Sequence, residues 1–131
     1  MMRFFRGKDI KTGDWVYGDL IISKNQYYIH PTHNSFQVKE SGLSGPIVLH
    51  EVREETVGQF TGRVDKNGNK VFEGDICTGS NILYPSRDIY HAGFDDGLFG
   101  LYDESGILWH FSHLDNVEVI GNIFDDTKKD V

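Results

Sequence analysis

Alanine is nearly missing from this chain of 131 residues: Ala92 is the only one. Ala is the best helix former and is normally among the commonest residues, so the usual material of long helices is lacking. No window carries apolar residues at i, i+3, i+4 and i+7 over three turns, which excludes a helical bundle. Cysteine is as scarce. Cys77 alone permits neither an intrachain disulfide nor a multi-cysteine metal site. It stands where a strand should begin and reads as a small buried residue. Nowhere do the roughly 20 consecutive apolar residues of a membrane-spanning helix occur. Residues 1–8 place Arg3, Arg6 and Lys8 around Phe4 and Phe5, without the apolar stretch of a secretory signal. Together these absences lead us to expect a cytoplasmic protein.

Positive charge is missing where negative charge concentrates. The formal net charge is −7. Residues 1–60 hold seven basic and seven acidic side chains, whereas residues 61–131 hold six and thirteen. Residues 88–126 carry nine carboxylates and no Lys or Arg. Affinity for a polyanion rests on Lys and Arg, so a general nucleic-acid binder is disfavoured. The same run can attract a basic partner, and Asp88, Asp95, Asp96, Asp103, Glu104, Asp115 and Glu118 are its candidate partner surface.

What the chain has in plenty is glycine, at fifteen residues, and aromatic side chains, at 13%. Both belong to short strands and tight turns. Asp65, Lys66, Asn67, Gly68 and Asn69 form a strong turn signal between apolar runs, so residues 59–76 read as a hairpin. Residues 94–111 read as a second hairpin around Asp103, Glu104, Ser105 and Gly106, and residues 116–124 as a further strand. Residues 50–55 suit one helical turn. Residues 24–46, polar and with Pro31, read as a long strand–loop–strand excursion, and residues 127–131 as a frayed tail. The expected fold is mainly β with little helix. It comprises two small SH3-like barrel-type halves of antiparallel hairpins, residues 1–62 and 63–126, or one intertwined domain.

A short internal repeat supports two halves. Gly13–Asp14–Trp15 resembles Gly74–Asp75–Ile76, and Gly58–Gln59 resembles Gly121–Asn122, at similar separations. Glycine there suits a positive φ or a close backbone approach, and the Asp can take backbone N–H groups at a strand entrance. On this basis Gly13, Asp14, Trp15, Gly58, Gln59, Gly74, Asp75, Gly121 and Asn122 are motif positions, and valine at Gly58 or Gly121 should be damaging. Trp15, Phe60, Phe72, Ile76, Trp109, Ile120 and Ile123 are the core candidates.

These same blocks carry a family resemblance. Arg6–Gly7–Lys8 followed by Gly13–Asp14–Trp15–Val16–Tyr17–Gly18 resembles the opening of the YopX family of phage and prophage proteins. The run from Glu55 through Thr56, Val57, Gly58, Gln59 and Phe60, then Asp65–Lys66–Asn67–Gly68 and Phe72–Glu73–Gly74–Asp75–Ile76, is similar to its most specific signature. Val119–Ile120–Gly121–Asn122–Ile123 is similar to its close. The resemblance implies a mainly β fold and a gene carried by a phage or prophage. It implies no particular chemistry.

The residues themselves give no catalytic constellation. No P-loop, nucleophile elbow or dinucleotide fingerprint occurs. His30 and His33, and His110 and His113, are spaced i, i+3, which on an extended chain sends them to opposite faces, so hydrogen-bonding roles are expected rather than a metal site. Asp95–Asp96 and Asp125–Asp126 read as turn residues. No cofactor is expected. Trp15, Tyr17, Tyr27 and Tyr28, interleaved with Lys8, Lys11 and Lys24, are the one arrangement suited to stacking single-stranded nucleic acid. The basic stretch of residues 1–11 suits a head-to-tail contact with the acidic half of a neighbouring copy. The leading expectation is a non-enzymatic accessory protein that binds another protein and can self-associate; the alternative is a nucleic-acid-binding or nucleic-acid-processing β-barrel.

Overall fold

Period-two alternation of small apolar and polar residues, cut short by glycine and Asx turns, produces short antiparallel strands. The computed structural model describes residues 4–31, 37–39, 42–44, 48–83, 87–95 and 97–125, with backbone alone at 37–39, 42–44, 87 and 88. Asp96, Asp126, His33 and the tail at 127–131 lie outside the described residues, as does the side chain of Asp88. The chain divides into two units, Met1–Gln59 and Phe60–Val131.

The first unit contains β1 (Phe5–Lys8), β2 (Trp15–Ser23), β3 (Gln26–His30), β4 (Gln37–Lys39), β5 (Gly42–Ser44) and β6 (His50–Val52), then a 3-10 turn at Glu54–Thr56. Strand β7 (Gly58–Val64) begins in it. Neighbouring strands run β6-β3-β2-β1, and β1 also pairs with the start of β7. Lys24 and Asn25, at φ 53° and 65°, make the two-residue turn that returns β3 onto β2. The excursion expected from residue 24 therefore begins as a tight hairpin. His50–Val52 is strand, and the expected helical turn starts only at Glu54. An isolated Asp9–Val52 bridge, with Arg53 N donating to Lys8 O and Ile10 N to Glu51 O, draws β6 back to the end of β1. The curled sheet thus returns on itself through one bridge rather than a full ladder. Ile29 and Val52 are buried. Thr56 accepts from Lys8 N at 2.9 Å and donates to Arg53 O at 2.7 Å, tying the following turn to β1.

The second unit takes the rest of β7 with β8 (Lys70–Phe72), β9 (Asp75–Asn81), β10 (Arg87–Asp95), β11 (Leu98–Tyr102), β12 (Leu108–Trp109), a 3-10 turn at Phe111–His113 and β13 (Leu114–Asn122). Five of these form an antiparallel sheet in the order β12-β11-β10-β9-β13. Its inner face buries Val71, Cys77, Tyr90, Ala92, Leu101 and Leu114, with Trp109, Phe111, Val117 and Val119 packed against them. The lone alanine is thus core, where little side-chain volume fits. Burial alternates strictly along β9, putting Asp75, Cys77, Gly79 and Asn81 inward and Ile76, Thr78 and Ser80 outward.

The fold is mainly β and antiparallel, with helix among the described residues confined to the two 3-10 turns. The core differs in part from expectation. Phe72 is buried, while Trp15, Phe60, Ile76 and Trp109 are half-buried. Ile120 is exposed because register shifts between Asp115 and Glu118 and between Val119 and Gly121 reset the alternation along β13, and Ile123, in the turn just past that strand, is exposed as well. Gly121 has no positive φ and open space where a Cβ would stand, so the expected damage from valine has no structural basis there. Gly58 is buried at the start of β7, also without positive φ.

Gly13 and Gly74 share a positive φ, 77° and 89°, but their neighbouring carboxylates do different work. Asp75 is buried and accepts from Phe72 N at 2.7 Å. Asp14 is exposed, and the corresponding turn is held by Asp9, which accepts from Lys11 N and Thr12 N. Trp15 opens β2, and Gln59 lies opposite Phe5. Asn122 accepts from Phe124 N and Asp125 N at the end of β13.

Candidate interaction surface

The outward face of the five-stranded sheet collects side chains that the alternation sends away from the core. Ile76 lies opposite His91, and His91 opposite Tyr102, so one row crosses β9, β10 and β11. Thr78 and Ile89 form the adjacent row. The His91 and Tyr102 rings stack with centroids 5.2 Å apart. In the row beyond, Gly93 faces Gly100. A Cβ at Gly93 would stand 2.4 Å from Tyr102 Cε2, so glycine there lets the tyrosine ring lie across β10. A groove of about 330 Å³ follows, lined by Ile76, Ile89, His91, Tyr102 and Ile123, with Asp103 and Glu104 at its side.

Carboxylates bound this face. Asp95, opposite Leu98, lies two rows from Tyr102 toward one end; Asp115, opposite Ser80, lies two rows from Ile76 toward the other. Both are exposed, as is Glu104. Glu118, opposite Thr78, pairs with Lys66 at 3.4 Å, which offsets its charge. The acidic run is therefore not one uniform plate.

Asp103 shows why. Its carboxylate accepts from Ser105 Oγ at 2.6 Å, Trp109 Nε1 at 2.8 Å, Ser105 N at 2.9 Å and Ile107 N at 3.0 Å, holding the β11–β12 turn. These bonds, the Ser105 and Trp109 side chains foremost, lower its pKa to about 2. A depressed carboxyl pKa contributes stability that is complete above the ordinary value near 3.9 and lost as pH falls through the folded value. The Trp109 indole N–H resonance is thus expected to stay unchanged from pH 5 to pH 3 and to move only near pH 2. A ¹H–¹⁵N titration checks this, and a midpoint near pH 4 would contradict it.

Two further carboxylates are structural. Burial pushes the Asp65 carboxyl up, but bonds from Val119 N, Asn69 N and Asn67 N outweigh it and hold the pKa below the usual range. Asp9 is lowered by Lys11 N and by His50, whose Nδ1 lies 2.9 Å from Oδ2. Nothing in the turn signal around residue 65 told that Asp65 reaches Val119, 54 positions away.

The other arrangements singled out in the sequence are dispersed. Arg6 and Lys8 are buried, their cationic groups 4.4 and 5.4 Å from the centre of the Trp15 ring. That ring already stacks against cations. Buried Arg6 and Lys8 also offer no surface charge to a neighbouring copy. Tyr27 and Tyr28 point to opposite faces of β3, donating to Glu54 and Gln26. His110 caps the second 3-10 turn, its Nδ1 accepting from Ser112 N. Among the described residues no three of His, Cys, Asp and Glu gather to hold a metal ion, and no helix is long and apolar enough to cross a membrane.

A family model described as YopX protein matches residues 4–129. No curated protein matches the chain. Among solved structures it is similar to the crystal structure of protein EF1440 from Enterococcus faecalis, with 23% identity, a TM-score of 0.53 and 98% of each chain covered. At that identity the likeness concerns the fold alone.

Proposed function

This chain belongs to the YopX family, and we propose that it serves as a phage- or prophage-encoded accessory protein, a non-enzymatic module that binds another protein in the bacterial cytoplasm. The observation that carries this reading is the outward face of the second unit's sheet. Ile89 and Ile123, about half exposed at 53% and 45%, line its groove with Ile76 and Tyr102, and an aromatic pair lies at the centre of the face. Contiguous exposed apolar surface with a polar rim marks interaction sites, and a central aromatic is the usual anchor of a protein interface. The nucleic-acid alternative draws no comparable support, since the Trp15 ring is engaged by Arg6 and Lys8.

Affinity capture from host cells tests the reading. The tagged protein is expected to retain a protein partner that Tyr102→Ala releases, with the variant somewhat less stable but still folded by circular dichroism. Capture of no partner, or equal capture by the variant, would reject it.

A further inference from the structure

We infer that the groove takes an extended, basic segment of its protein partner, an apolar stretch flanked at both ends by Lys or Arg; this rests on the protein-binding reading above. The centre of the face is apolar, with Ile76 and Ile89 beside the Tyr102 ring. Exposed carboxylates stand at its ends, Asp95 at one and Asp115 at the other, with Glu104 at the flank; Arg87, also opposite Ser80, shares the row of Asp115 and offsets part of its charge. From the row of Ile76, His91 and Tyr102, Asp95 is four residues along β10, and Asp115 stands beside Ser80, four residues along β9, each about 13 Å along the strand direction. A segment laid along the strands therefore meets these carboxylates with cations four positions before and after its central apolar residue. The side chains between them alternate, and every second one enters the groove.

The same charges decide against the other occupants. A second copy would bring Asp95, Glu104 and Asp115 against their own equivalents, since a two-fold interface pairs the same patch with itself. Its net charge of −7 adds to that repulsion. A nucleic acid would set phosphates against the same carboxylates.

The probe is a labelled nonapeptide, Arg-Ser-Leu-Ser-Leu-Ser-Leu-Ser-Arg, measured by fluorescence anisotropy at pH 8 against the full chain. Its counterpart carries Glu at both ends. The Arg peptide is expected to bind at least 10-fold more tightly in low salt, with the gap closing in high salt. Tyr102→Ala and, as a milder variant at an exposed position, Ile89→Ser should weaken both peptides. The double variant Asp95→Asn/Asp115→Asn should remove the preference alone. Equal binding of both peptides, lost in Tyr102→Ala, would overturn the basic-partner inference and leave the protein-binding reading standing. Binding of the Arg peptide that ignores Tyr102 and Ile89, or no binding at all, would also overturn it. So would a Tyr102-dependent dimer in sedimentation, or Tyr102-dependent binding of a single-stranded oligonucleotide.

Discussion

Gly18→Ala is expected to destabilise the first unit by about 3 kcal/mol or more. Gly18 sits in β2 at φ 155°, where a Cβ would stand 2.0 Å from His30 O, 2.8 Å from His30 C and 2.9 Å from Pro31 Cα. All three atoms are backbone, so no rotamer change relieves the clash. The adjacent pair, Asp19 opposite His30, begins the β2–β3 ladder, so relief requires separating the hairpin at its base. Gly13→Ala is the comparison. Gly13 also has positive φ, 77°, but nothing lies within 4 Å of the methyl group that alanine would add, leaving only the left-handed backbone cost of about 1 kcal/mol. Urea unfolding followed by Trp15 fluorescence, in a Trp109→Phe background that removes the second tryptophan, measures both. Equal, small losses would contradict the assigned geometry at Gly18.

The second large effect is at Asp65. Its Oδ1 accepts from Asn67 N and Asn69 N, both at 2.9 Å, and its Oδ2 from Val119 N at 2.9 Å. Lys66 N donates to Val117 O at 2.8 Å beside it. The turn after β7 thereby meets the side of β13 that β9 does not pair, covering a strand edge that would otherwise offer its N–H and C=O groups to other chains. Asp65→Ala removes one acceptor from three N–H groups and is expected to cost about 3 kcal/mol. Asp65→Asn keeps Oδ1, but when that oxygen stays in place its amide nitrogen points a donor at Val119 N–H. It should cost about 2 kcal/mol and speed hydrogen exchange at Val119. Because the folded pKa is lowered, this stability is complete above the ordinary carboxylate value and is lost as pH falls through the folded one. Acid-dependent loss in the wild type should therefore shrink in Asp65→Asn. An unchanged Val119 exchange rate would contradict the assignment.

Local chemistry was the legible part. The scarcity of alanine and the density of glycine read as strand and turn, and the hairpins around residues 65–69 and 103–106 are where turn residues place them. Strand β10 was not legible, although Ile89, Tyr90, Ala92 and Phe94 lie in it. Its alternation includes His91 and Gly93 outward, and neither residue signals a strand. The acidic run was legible as charge but not as surface. Asp95, Glu104 and Asp115 are exposed, whereas Asp103 is consumed by its turn.

The sequence by itself determined the class of fold and its punctuation, because strand alternation and turn geometry act over a few neighbouring residues. It also carried the YopX motifs that place the chain in its family. Only the tertiary structure decided which apolar residues are core and which form a surface. Ile120 reads as core until the register shifts in β13 turn it outward, and Ile76 and Tyr102 meet through His91 although 26 positions separate them. Register between distant strands is set by how whole faces pack, and local sequence does not encode that packing.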